Sequence, residues 1–309
     1  SLPGKARPER TFVDQGGDRG RLVAGRRIAR LQVKGLRFAH ARPELQRKIA
    51  SRTLAGIPPT RYPQVSIRLA ERIRRIKPSA TLAVTARAAQ LRAAGKDIIA
   101  LGAGEPDFDT PVHIADAGVE AIRTGHTRYT AIEGTQELRD AIIGKFRRDN
   151  GLEYQRSQIL VSSGAKQVVF NLCCALLDPG DEAIIPAPYW VSYPDMVLVA
   201  DGTPVTVFAG ADQGFKITPA QLAAAIAPRT RLFILNSPCN PTGAGYSRAE
   251  LQALGAVLER HPGVVIGTDD MYEHIWWGPE PFTSFATANP SLYDRTVTIN
   301  GCSKSDAMT

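Results

Sequence analysis

The chain has few cysteines, and the four present, Cys173, Cys174, Cys239 and Cys302, form no Cys-x-x-Cys pair. Adjacent thiols seldom bridge each other, so a disulfide scaffold is excluded. The four are read as reduced, mostly buried thiols of a cytosolic protein, and no metal site is expected. Long hydrophobic runs are also missing. The longest, Val168 to Leu177, is interrupted by Asn171 and is about half of what a bilayer requires, which excludes a transmembrane helix. There is no internal repeat. Ordinary apolar (43%) and charged (22%) fractions exclude a disordered or fibrous chain. What remains is a globular protein, long enough to bury a sizeable core in one large domain or two.

Basic character is confined to one end. Residues 1–64 hold 12 Arg and 3 Lys against 2 Asp and 2 Glu, a net +11; with +8 for the whole chain, residues 65–309 carry −3. The larger part is therefore a mildly acidic body with no reason to seek nucleic acid. Residues 1–64 show neither helical nor strand periodicity and mix Gly, Pro and Arg. They could be an organellar targeting segment, a nucleic-acid-binding arm or a non-native extension. Serine is too scarce for the first, and no helix-turn-helix pattern supports the second. The third is preferred, because the chain does not begin with Met and organised sequence starts abruptly at Val65, which could be a misread alternative start. A basic, poorly ordered segment is expected over 1–64.

From Ser66 the pattern is regular. Helices are expected over 66–76, 82–94 (closed by Gly95), 111–124 and from Thr135, with an apolar strand at 98–101. Thereafter β and α units alternate. Strands are expected at 158–162, 182–186, 203–208, 231–236, 264–268 and 296–300, and helices at 165–177, 191–200, 218–226 and 247–260. Such alternation predicts a three-layer αβα fold, a mostly parallel sheet covered on both faces, with ligands at the carboxyl ends of the strands.

Those ends carry the chemistry. The run Thr296 to Asn300 stops at Gly301 and delivers Lys304 between two serines. A lysine in a polar turn is ordinarily a solvated charge. Here it has the companions that an aldehyde cofactor of the pyridoxal-phosphate type needs. Its amine can form an imine and later act as a base. Asp269, at the end of a strand, can keep a pyridine nitrogen protonated, although either Asp269 or Asp270 could instead cap a helix. Tyr272 and Asn240 can donate to a ring oxygen. The small-residue turn Ser163-Gly164-Ala165-Lys166 opens a helix and suits a phosphate. Trp190 can plate a flat ring or pack in the core.

In chain order, Gly-Glu-Pro-Asp-Phe (104–108), Tyr-x-x-x-x-Gly (129–134), Ser-Gly-Ala-Lys-Gln (163–167), Pro-Tyr-Trp (188–190), Asn-Ser-Pro-x-Asn-Pro-Thr-Gly (236–243), Asp-x-x-Tyr-Glu (269–273) and Ser-Lys-Ser (303–305) resemble the class I/II aminotransferases of the fold type I pyridoxal-phosphate enzymes. The similarity spans residues 66–309. The resemblance implies pyridoxal 5'-phosphate on Lys304, Asp269 at the pyridine nitrogen, Tyr272 and Asn240 at the 3-oxygen, and Trp190 stacked on the ring. Gly164, Ala165 and Lys166 would lie around the phosphate. Tyr129 would reach the cofactor of a neighbouring subunit, which implies a homodimer. Gly104 would contact the substrate carboxylate, and Lys77 and Thr81 would tune substrate choice. Residues 65–110 would belong to a small domain and 111–309 to the large, cofactor-binding one.

The implied activity is transfer of an amino group between an L-amino acid, aspartate or glutamate, and a 2-oxo acid, with prephenate a possible substrate, in the cytoplasm. The resemblance also implies a Gly-Trp-Arg continuation and a C-terminal small domain, each bringing an arginine, beyond Thr309. A chain lacking both should bind cofactor poorly and turn over little. Two other functions stay open: a regulator that senses the cofactor behind a basic DNA-binding arm, and a lyase using the same cofactor.

Overall fold

Alternation within the central strands sets the architecture. A computed structural model describes residues 68–102 and 104–309. The basic segment 1–64 and the first residues of the helix expected from Ser66 lie outside the described residues. Five strands, β1 (Glu182–Ala187), β2 (Thr203–Phe208), β3 (Thr230–Asn236), β4 (Val265–Asp269) and β5 (Thr296–Ile299), form one sheet in the order β2-β1-β3-β4-β5. Every neighbouring pair is parallel. Among the described residues the α-helices are α1 (Glu71–Arg74), α2 (Ala80–Ala93), α3 (Val112–Arg123), α4 (Gln136–Lys145), α5 (Ala165–Leu176), α6 (Ser192–Val199), α7 (Pro219–Ala225), α8 (Arg248–Leu258) and α9 (Phe285–Ala288).

Because successive strand residues point to opposite faces, each inner strand feeds two cores. Ala183 and Ile185 of β1 and Leu232 and Ile234 of β3 pack with Val169 and Cys173 of α5 and Tyr193, Met196 and Val197 of α6. Ile184, Phe233, Leu235 and Ile266 face the other way, against Leu222 of α7, Leu251, Leu254 and Leu258 of α8, and Phe285 of α9. Each fully buried Leu, Ile or Phe contributes about 1.5–3 kcal/mol, so both layers are strongly held. The αβα sandwich expected from the alternating units is the fold observed.

Topology follows from handedness. Right-handed crossovers place a helix on one face when the chain moves one way along the sheet and on the other when it reverses. The step from β1 to β2 carries α6 on the first face; the steps onward through β3, β4 and β5 carry α7, α8 and α9 on the second. The reversal lies between β1 and β3, and the crevice beyond their carboxyl ends is where such sheets bind ligands.

Local signals fix the helix ends. Thr218 with Gln221 and Ser247 with Glu250 form reciprocal capping boxes at α7 and α8, each satisfying two orphan amides. A buried polar staple ties α4 to the loop after β4. Glu273 pairs with the Lys145 ammonium and accepts a 2.8 Å hydrogen bond from Asn150, whose Oδ1 accepts one from Lys145.

Four expectations are corrected. Residues 98–101 are not a strand: Ile99 and Leu101 are 84% and 90% exposed, and no strand lies beside them among the described residues to supply a ladder. Residues 158–162 are likewise not a strand; Arg156–Gln158 is a short 3-10 turn, and Val161 donates one backbone bond to Glu133. Over the described part of the helix expected at 66–76, only α1 is helical, because Leu69 and Ile73 find no core and stay exposed. The thiols are not mostly buried, since only Cys173 is buried, Cys239 is partly buried, and Cys174 and Cys302 are exposed. No helix among the described residues is long and apolar enough to cross a membrane.

Candidate active site

The register of the sheet aligns three of the candidate residues. Asn236 pairs with Asp269 across β3 and β4, and Asp269 pairs with Ile299 across β4 and β5. The loops carrying Asn240, Tyr272 and Lys304 therefore leave the same edge, side by side. Asn236 clamps two of them. Its amide donates to the Asp269 carbonyl at 2.8 Å, and its Oδ1 accepts from the Asn240 N–H at 2.7 Å.

Asp269 is buried. Its Oδ2 accepts a 2.5 Å hydrogen bond from the Tyr193 hydroxyl, and its Oδ1 accepts one of 3.3 Å from the Met271 N–H. Burial pushes the carboxyl above its ordinary value, and the Tyr193 and Met271 donors pull it back down. The same burial, with the adjoining carboxylate, raises the Tyr193 phenol well above the usual range, so the phenol keeps its proton. Neither Asp269 nor Asp270 caps a helix: the chain after β4 turns without forming one. Asp270 points into the core, accepting from Thr268 Oγ1 at 2.5 Å.

Tyr272 and Asn240 meet, the Asn240 amide donating to the phenol oxygen at 3.4 Å. Burial first, then the charge of Asp269, raises the Tyr272 phenol, and Asn240 partly offsets this. Trp190 is half-buried at the edge of the α5–α6 core. It meets Tyr193 edge-to-face, ring centroids 5.3 Å apart, and carries the Lys166 ammonium 5.0 Å from its own ring centroid. One contiguous row thus runs Lys166, Trp190, Tyr193, Asp269.

Gly164 precedes α5 with φ +81° and ψ 162°, a conformation essentially restricted to glycine. It turns the chain so that the Ala165 and Lys166 amides fall in the first helical turn, whose N–H groups have no partner inside the helix. At the far strand, Lys304 Nζ donates to the Gly104 carbonyl at 3.1 Å, and Thr110 Oγ1 donates to Ala307 O at 2.7 Å. Lys304 and Gly104 are therefore adjacent. Tyr129 is fully exposed and packs against none of these groups. Lys77 is exposed and Thr81 sits in the first turn of α2, accepting from Thr85 through its carbonyl; no contact joins either to the row.

Two residues escaped the sequence reading. Asn236 stands in a quoted motif but was given no role. Tyr193 lies three residues after Trp190, in the turn that leads into α6, where its N–H donates to the Trp190 carbonyl, and that short spacing was the available signal. The set of a buried acid, an adjacent phenol and amide, an indole, a glycine turn at a helix start and an amine fits a flat ring with a basic nitrogen, a ring oxygen, an aldehyde and an anionic arm.

The chain matches the family described as aminotransferase class I and II over residues 96–309. It is 60% identical over 243 residues to an aspartate/prephenate aminotransferase of Nitrosomonas europaea, covering 79% of this chain and 61% of that protein. It is 59% identical over 241 residues to the protein of the same name from Cereibacter sphaeroides, covering 78% and 60%. Among solved structures, the aspartate aminotransferase of Rhizobium meliloti superposes with a TM-score of 0.77 at 51% identity, over 79% of this chain and 61% of that one. That of Thermus thermophilus with maleate gives 0.74 at 43%, over 79% and 62%. The chain spans about three fifths of the length of these relatives. With the αβα sheet, the strand-end residues and these matches together, the chain belongs to the class I and II aminotransferases.

Proposed function

We propose that the protein to which this chain belongs is a pyridoxal-phosphate-dependent aminotransferase that moves an amino group between aspartate or glutamate and a 2-oxo acid, with prephenate among the acids used. The observation that carries the reading is the buried Asp269 beside the Asn240–Tyr272 pair, at the carboxyl ends of two strands in register. The relatives named aspartate/prephenate aminotransferase support the substrates, and the Thermus enzyme solved with the dicarboxylate maleate supports an acidic one.

In this reading the cofactor, when bound, supplies an electron-accepting ring that stabilises negative charge at the substrate's Cα. Lys304 holds it through the ε-amine and, once released, takes and returns the proton at that carbon. Asp269 keeps the ring nitrogen protonated, Tyr272 and Asn240 donate to the ring oxygen, and Trp190 lies against the ring. Gly164, Ala165 and Lys166 neutralise the phosphate with first-turn amides and an ammonium. Gly104 contacts the substrate carboxylate, and Lys77 and Thr81 tune substrate choice. Residues 65–110 serve as part of a small domain and 111–309 as the cofactor-binding domain. The exposed Tyr129 reaches the phosphate held by a second copy, so a homodimer is part of the proposal. The free cysteines suit a cytoplasmic setting.

Reductive trapping tests the site. Borohydride treatment of the chain mixed with pyridoxal phosphate should fix the phosphopyridoxyl group on the peptide containing Lys304, and Lys304→Ala should remove that label. Labelling spread over other lysines, with none on Lys304, would sink the assignment. For a polypeptide of the relatives' full length, aspartate plus 2-oxoglutarate should yield oxaloacetate and glutamate. Formation of elimination products instead would point to a lyase.

A further inference from the structure

We propose that Tyr193 is a positioning residue for Asp269, its hydroxyl fixing the carboxylate in the one orientation from which it meets the ring nitrogen of the cofactor. The inference rests on the cofactor site proposed above. Its starting point is how little else holds that side chain. The Asp269 backbone is secured, its carbonyl accepting from Asn236 Nδ2 and from the Ser237 amide. Among the described residues the carboxylate itself has only the long bond from the Met271 N–H on Oδ1 and the 2.5 Å bond from Tyr193 on Oδ2. Without the phenol, Oδ2 would be buried with no donor among the described residues.

Tyr193 is suited to the task because packing holds its ring on every side. It is 2% exposed and among the largest fully buried side chains. It is locked between Trp190 and the α5–α6 core. A donor held by packing costs no reorganisation when it is used. The charged and titratable groups facing Asp269 are Tyr193 from α6, Cys239 from the loop after β3, and Tyr272 and Asp270 from its own segment. Cys239 is a neutral thiol whose Sγ donates to the Pro188 carbonyl, and Tyr272 is paired with Asn240. Tyr193 alone among them donates to the carboxylate. Through Trp190 it also couples the acid to Lys166, so one ring sets the spacing between the nitrogen end and the phosphate end of the site.

The test compares the wild-type chain with Tyr193→Phe, which keeps the ring and removes the donor, and with Asp269→Asn. In chains labelled with carboxyl-13C aspartate and free of cofactor, the Asp269 resonance is the one missing from Asp269→Asn. Its titration midpoint should rise by about one to two pH units in Tyr193→Phe, the size expected for losing a hydrogen bond to a charged acceptor. An unmoved midpoint overturns the proposal.

In a polypeptide of the relatives' full length, pyridoxal phosphate affinity, read by quenching of tryptophan fluorescence, should fall about tenfold in Tyr193→Phe, the effect of losing one hydrogen bond to a charged group, with the fall deepening towards low pH, where the carboxyl is neutralised first. A purely structural role would lower affinity equally at every pH. Binding by the wild type with an unchanged affinity and pH profile in the variant overturns the inference alone. Failure of the full-length wild type to bind, with Lys304→Ala no different, overturns the cofactor reading and the inference with it. Should Tyr193→Phe not fold, the wild-type chain still decides: the Tyr193 phenolic proton should exchange slowly and resonate far downfield, moving upfield in Asp269→Asn, and its absence counts against the proposal.

Discussion

Replacing Asp270 with asparagine should change the pH dependence of stability more than any other single substitution near the site. Asp270 is 2% exposed. Its Oδ1 accepts from Thr268, and its Oδ2 and the Ser284 hydroxyl are buried without a hydrogen bond of normal geometry, although Ser284 is near enough to favour the anion. Burial raises the carboxyl from its ordinary 3.8 to about 7; Thr268 and Ser284 oppose this, and the charges of Glu273 and Asp269 add to it. In the folded chain the proton therefore stays on until about pH 7, whereas the unfolded chain releases it near pH 4. Between those values the folded state binds more protons, so stability falls as pH rises. The contribution is intact below about pH 4 and lost above about pH 7. The gap corresponds to about 4 kcal/mol.

Asp270→Asn cannot ionise and escapes that penalty. Urea unfolding of both chains at pH 4, 6 and 8, with linear extrapolation, should show the difference between variant and wild type shifting by about 4 kcal/mol in favour of asparagine across the series. Asp140, Asp149, Glu153 and Glu250, whose carboxyls lie below the ordinary range, give wild type and variant alike an opposite slope at acid pH, which cancels in the difference. A difference that stays constant with pH would refute the argument.

The other predictions concern the turn, the staple and the thiols. Gly164→Ala meets no atom within 4 Å, so its cost is backbone strain alone, about 1–3 kcal/mol, read as a lower urea midpoint; an unchanged midpoint would show that the turn relaxes freely. Lys145→Met leaves the Glu273 carboxylate buried with Asn150 and the half-exposed His274 beside it and should cost about 3 kcal/mol, the low end for a broken buried pair because Lys145 is 21% exposed. Lys145→Met combined with Glu273→Leu should recover most of that loss, and equal losses for single and double variants would contradict the pairing. Alkylation of the native chain at pH 8 should modify exposed Cys174 and spare Cys173, which is fully buried with its thiol pushed up to about 12. Peptide mass spectra showing both modified at one rate would contradict the packing of α5.

What could be read from the sequence was whatever depends on near neighbours. The strand expected at 203–208 is β2 to the residue, and the boundaries of β1, β3, β4 and the helices between them fall within one or two positions. Apolar periodicity and glycine or proline stops are local signals. The runs at 98–101 and 158–162 carry the same signals and still form no strand, since a strand exists only where another lies beside it. Trp190, Asn240, Asp269, Tyr272 and Lys304 were legible as a set because each ends or follows a strand, and parallel strands bring their carboxyl ends to one edge whatever their spacing along the chain.

Tyr193 was not legible in that way. Its partner is 76 residues away and on a strand that is not a neighbour of β1, for β3 lies between them. The two meet because α6 crosses the face of the sheet on which Leu232 and Ile234 of β3 lie, and from there the phenol reaches past β3 to the end of β4. A contact of this kind is set by which face a crossover helix covers, and that follows from the reversal of strand order between β1 and β3. The order is a property of the assembled sheet. The short spacing of Trp190 and Tyr193 could bring the two rings together, but only the strand order decides that Tyr193 looks towards Asp269.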